Sequence, residues 1–208
     1  MTENQIPQLT TEEVRVLGAL IEKSFTTPDY YPLTLNGLVT ACNQKSSRKP
    51  VVNYDNDTVM KSIDSLKRKL LVASVTGDGR TIKYRHTIAV KYPLDPAEVT
   101  VLGLLFLRGP LTIGEIKNNS GRMYPYDDLQ EVLDTLTQLM AYDSPFVQLL
   151  PKASGQKESR YAHCFATFEE TSEEKEETDS AYNESLEQRV TQLEEELREL
   201  KEKLKDLL

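Results

Sequence analysis

A pattern written twice constrains this 208-residue chain more than any other feature. Glu13-Val14-x-Val16-Leu17-Gly18 returns 85 positions later as Glu98-Val99-x-Val101-Leu102-Gly103. Leu33-Thr34 with Leu38 returns at 78 as Leu111-Thr112 with Ile116, Asp64-x-Leu66 at 70 as Asp134-x-Leu136, and Tyr84-x-His86 at 77 as Tyr161-x-His163. The order is kept while the offsets drift, which is what two copies of one unit with loops of different length produce. Any fold must accommodate that unit twice.

Each copy reads in the same order. A first helix carries Val14, Leu17 and Ile21, or Val99, Leu102 and Phe106, at spacings that make one apolar face. Thr10 or Thr11, and Asp95 ahead of Pro96, suit its N-cap. A short second helix follows, about Leu35 to Cys42 and Ile113 to Asn119. The third has an apolar stripe of Val59, Ile63, Leu66 and Leu70, or Leu129, Leu133, Leu136 and Met140, spaced 4, 3, 4. The period then changes to that of strands. Val72 to Thr76 and Thr81 to Ala89 flank the turn Gly77-Asp78-Gly79-Arg80, and Phe146 to Leu150 and Arg160 to Ala166 flank a looser loop through Gly155. Three helices and a hairpin, repeated, predict an α+β chain, mainly α: two tandem winged-helix domains, 1–92 and 93–168.

The chain also resembles a known family, the bacterial YceH-like proteins, over nearly its whole length. The resemblance rests on Tyr31-Pro32-Leu33, Asn36-Gly37, Ala41-Cys42-Asn43-Gln44-Lys45 with Arg48 and Pro50-Val51, Leu107-Arg108-Gly109 with Gly114-Glu115, Arg122-Met123, and Glu158-Ser159-Arg160-Tyr161 with His163. It implies paired winged helices and a C-terminal coiled coil, and it implies no activity, because the family is uncharacterised. Between Arg48 and Pro50, where that signature usually carries an acid, this chain has Lys49.

Charge separates the copies. The chain's net charge of −8 divides into +4 over residues 1–92, −3 over 93–168 and −9 over 169–208. Only the first copy can attract phosphate, because the field that matters is local. A winged helix on DNA lays its third helix in the major groove and its hairpin against the backbone. The first copy's third helix offers Lys61, Ser65 and Arg68, the preceding loop Lys45, Arg48 and Lys49, and the wing Arg80, Lys83 and Arg85. These nine are the expected nucleic-acid contacts. Tyr31, Asn43 and Gln44 are candidates for base stacking or readout, since amides reach base edges and phenol rings stack on bases. The plainer alternative is a solvated face diluted by Asp55, Asp57 and Asp64, with loop amides that satisfy their own backbone. The second copy's third helix carries Asp127, Asp128, Glu131 and Asp134 and repels a phosphate backbone.

Enzymatic chemistry finds little support. His86 and His163 occupy equivalent strand positions, which suits a structural role, and no phosphate-binding glycine loop or nucleophile elbow is present. His163 and Cys164 are neighbours on a strand and face opposite sides, which disfavours joint metal ligation. Cys42 and Cys164 lie 122 positions apart and read as small buried hydrophobes. We expect no catalytic residue, metal or cofactor. The longest apolar run is seven residues, well short of a membrane span, and the polar start lacks a secretory signal, so the expected location is the cytoplasm.

The last segment is the most periodic. Residues 169–184 form an acidic stretch, expected to be a disordered linker. In 185–208, Leu186, Val190, Leu193, Leu197, Leu200, Leu204 and Leu207 alternate at spacings of 4 and 3, a heptad seam. A parallel pair would set Arg189 against Glu194 and Glu196 against Lys201, so a parallel homodimer through a coiled-coil helix is expected. The resulting functional expectation is a DNA-binding, regulatory homodimer. The rival is a scaffold that grips an unknown protein partner, with the acidic second domain as the docking surface.

Overall fold

The structure is a computed structural model, and it describes residues 6–76, 81–152 and 158–167. Its described part is α+β and mainly helical. Helix α1 (Thr11–Thr26) opens on a capping box in which Thr10 accepts from the Glu13 amide and Glu13 accepts from the Thr10 amide. Helices α2 (Leu35–Cys42) and α3 (Asn56–Arg68) follow, each started by a side-chain cap, Thr34 and Asp55. Strands β1 (Leu33–Thr34), β2 (Val72–Thr76) and β3 (Ile82–His86) make an antiparallel sheet in the order β1-β3-β2. β3 ends earlier than its apolar pattern suggests, because Ile88–Lys91 closes into a single helical turn, α4.

The second copy repeats the plan. Its helices are α5 (Pro96–Arg108), α6 (Ile113–Ser120) and α7 (Leu129–Ala141), with Asp95 and Pro96 at the expected N-cap and first helical position of α5. Strands β4 (Val147–Leu149) and β5 (Tyr161–His163) pair antiparallel. The correspondence extends to register. Leu33 pairs with Tyr84 and Val72 with His86; Leu111 pairs with Tyr161 and Val147 with His163.

The two copies share one core through the crossing of α1 and α5. The crossing is glycine-lined: a Cβ on Gly18 would lie 2.8 Å from Phe106, and one on Gly103 would lie 2.6 Å from Ile21. The repeat maps Gly18 onto Gly103 and Ile21 onto Phe106, so the two contacts exchange under it. That reciprocity is the mark of an isologous interface, here within one chain.

Two stripe residues differ from expectation. Leu70 does not continue the buried face of α3. It sits at φ 58°, 67% exposed, just beyond the helix, where the Leu71 amide bonds Leu66 and the Leu70 amide bonds Lys67. This is a Schellman ending, which selects the left-handed conformation whatever the side chain. Leu129 is also exposed, and the buried face of α7 is Val132, Thr135, Leu136 and Leu139.

Candidate nucleic-acid interface

The segment joining α2 to α3 is held at both ends and in the middle. At its mouth the Asn43 amide donates to the Tyr54 carbonyl and accepts from the Tyr54 amide, both at 2.8 Å. Inside, Arg48 is 6% exposed and its guanidinium forks onto Glu22 at 3.0 and 2.6 Å. Its remaining donors go to the Ala41 and Ser47 carbonyls and the Gln44 side chain. Arg15, buried on α1, donates to the Cys42 and Pro50 carbonyls. The Lys49 amide donates at 2.8 Å to the Leu107 carbonyl, in the last turn of α5 of the second copy.

This architecture removes several sequence-predicted contacts. Arg48 is no phosphate ligand, because its donors are used up on a buried carboxylate and on backbone carbonyls. Asn43 is occupied in closing the loop, and Gln44 accepts from both Arg48 and Lys23. Tyr31 is not available for stacking on bases: its hydroxyl accepts from the His86 amide at 2.7 Å, and burial pushes its pKa up to about 12. Ser65 is half-buried beside the Glu13 carboxylate, which accepts from Lys69 at 2.6 Å. Arg80 and the seven heptad residues Leu186, Val190, Leu193, Leu197, Leu200, Leu204 and Leu207 lie outside the described residues.

The exposed cations remain. Lys45 and Lys49 project from the clamped loop, Lys61, Lys67 and Arg68 from α3, and Arg85 from β3, while Lys83 is half-buried. Among the described residues none of these seven makes an ion pair within 4 Å. Lys61 and Arg68 share the outer face of α3 with Asp57 and Asp64, each acid four residues before a base, a spacing that softens the field. On β3, Tyr84 turns inward, with its hydroxyl on the Met60 sulfur, so alternation puts Lys83 and Arg85 on the other face of the sheet. The structure therefore presents a basic loop leading into a mixed-charge helix, with two further cations on β3.

The second copy differs in kind. Gln130 and Asp134 are exposed on α7, as are Asp127 and the N-cap Asp128 just before it, and Glu131 is tied to the Tyr124 hydroxyl and the Asp127 amide. Cys42 is buried and its thiol is pushed up to about 12, which keeps it protonated and unreactive. His163 lies between Phe106 and Phe165, with ring centroids at 4.8 and 6.4 Å. No described helix is long and apolar enough to cross a membrane.

Sequence reasoning missed Arg15 and Glu22, the partners that organise the loop. One signal existed: Arg15 interrupts an otherwise apolar stretch from Val14 to Ile21, where a surface arginine has no place. Comparison with known proteins agrees on how the chain is grouped. A family described as a protein of unknown function, DUF480, matches residues 9–156. A UPF0502 protein of Geotalea uraniireducens (strain Rf4) is 53% identical over 154 residues, covering 74% of this chain and 70% of that protein. One from Geotalea daltonii is 50% identical over 162 residues, covering 78% and 74%, and one from Opitutus terrae is 47% identical over 163, covering 77% and 71%.

Proposed function

The chain belongs to the UPF0502 family of bacterial proteins, a family of unknown function, and from that premise we propose that it binds double-stranded nucleic acid through its first copy. One observation carries the reading. Lys45, Lys49, Lys61, Lys67, Arg68 and Arg85 are exposed and unpaired among the described residues of the first copy, and the matching helix of the second copy is acidic. Backbone binding needs such cations and needs no enclosed pocket.

In this reading each copy is a winged helix, supported by the repeated helix and strand order and its conserved register. The likeness to YceH-like proteins fits the same architecture. In the same reading the heptad seam 186–207 pairs two chains in parallel and brings two basic surfaces to one DNA. The protein works in the cytoplasm as a regulator, without a cofactor and without catalysis. A second reading, capture of a protein partner by the second copy, draws on the acidic outer face of α7 and the exposed Leu129.

Binding of a mixed-sequence duplex by the full chain separates the two. Replacing Lys45, Lys49, Lys61 and Arg68 with Ala is expected to weaken binding by at least about tenfold with the helical signal intact. Equal affinity would contradict the reading and favour partner capture, which is indifferent to those changes.

A further inference from the structure

We infer that the Glu22–Arg48 pair is a positioning device for the basic loop, and that the second copy serves as the loop's backstop rather than as a second binding surface. The inference rests on the nucleic-acid reading and names the part that makes the loop competent.

The loop has no secondary structure of its own between Asn43 and Asp55, yet it carries two of the unpaired lysines. A free loop of this length would lose much conformational entropy on binding; one held beforehand does not. Its restraints are of different kinds. Asn43 and Tyr54 close its mouth, Arg15 holds the Pro50 carbonyl, and Arg48 plugs its interior against Glu22 and the Ala41 carbonyl. The last restraint comes from the second copy, where the Leu107 carbonyl receives the Lys49 amide. Lys49 is therefore fixed by its backbone to one copy while its side chain extends the basic surface of the other. Arg48 faces inward and leaves Lys45, Ser46, Ser47 and Lys49 outward. An arginine in this place is not interchangeable with a lysine, because only the planar fork meets both Glu22 oxygens and two backbone carbonyls together.

The arrangement also accounts for an acidic copy beside a basic one. The second copy can repel phosphate at α7 without loss if its contribution is the surface against which the loop is set.

The test compares the full chain with Arg48→Lys and Glu22→Gln, which nearly keep side-chain volume but break the fork, since lysine lacks the planar pair of donors and glutamine offers one acceptor oxygen and no charge. Three readings are taken: thermal unfolding, tryptic cleavage at the Lys45–Ser46 bond, and affinity for a mixed-sequence duplex. A released loop is cut faster and binds more weakly, so about tenfold changes in both are expected from each variant while the chain stays folded. Faster cutting with unchanged affinity would overturn the positioning role and leave the nucleic-acid reading standing. Unchanged cutting would show that the pair does not hold the loop. No duplex binding by the unaltered chain would overturn both. Should either variant unfold, the paired exchange Glu22→Arg with Arg48→Glu takes its place: recovery of slow cutting and affinity supports the inference, and slow cutting without affinity defeats it.

Discussion

Buried polar side chains decide much of this molecule's behaviour, and its two histidines make that measurable. Burial disfavours the imidazolium and lowers His163 to about 3; burial, helped by the nearby Arg85 charge, lowers His86 to about 4. The unfolded chain takes up protons as pH falls through the ordinary 6.5 while the folded chain does not. The stability these groups confer is thus complete above pH 6.5 and is lost as pH falls toward 4 and 3. Carboxylates do not confuse this window. Burial alone would raise Glu13 and Glu22, but Lys69 with Ser65 and Arg48 with Lys23 outweigh it and hold both below 4.5, so their contribution fades only at lower pH. Thermal stability is expected to fall between pH 7 and 5, with each histidine accounting for about 2 kcal/mol of the loss by pH 5. His163→Phe should remove about half of that slope, and an unchanged slope would show that His163 does not contribute.

Among elements, the crossing of α1 and α5 is the least forgiving. A methyl on Gly103 meets Ile21 at 2.6 Å in a fully buried layer, so the better helix propensity of Ala cannot offset the overpacking. Gly103→Ala is expected to cost about 1–3 kcal/mol. Gly121, exposed in ordinary helical backbone with nothing within 4 Å, is the opposite case, and Gly121→Ala should stabilise by about 0.4–1 kcal/mol. Chemical denaturation of the two variants checks both signs. At this scale the sequence was most legible. Helix periods, the caps at Thr10 and Asp95 and the paired Tyr-x-His strands all follow from local pattern, because they depend on neighbours a few residues away. The loop did not follow. Whether Arg48 faces water is set by Glu22, 26 positions earlier, and whether Tyr31 is free is set by the His86 amide, 55 later. Leu70 kept the spacing of a stripe but fell two residues beyond its helix, just past the C-cap Lys69, where the cap takes precedence over the period.

For the whole molecule, the shared core has a direct consequence. Leu17, Leu20 and Ile21 are completely buried in a layer that includes Leu102, Leu105 and Phe106 of the other copy. Residues 1–92 alone would expose that surface, and they are expected to lack a cooperative thermal transition, whereas residues 1–167, a single compact unit, are expected to unfold together. A cooperative transition in the isolated fragment would contradict the shared core. Binding must therefore be tested on the full chain. The most direct measurement is the dependence of duplex affinity on salt, for the full chain and for the variant lacking the positive charges of Lys45, Lys49, Lys61 and Arg68. Each phosphate contact adds about 0.9 to the slope of log affinity against log salt, so the variant's slope should be shallower by about 3 to 4. Parallel slopes, or no binding by the full chain at low salt, would contradict the proposal that the first copy is a nucleic-acid surface.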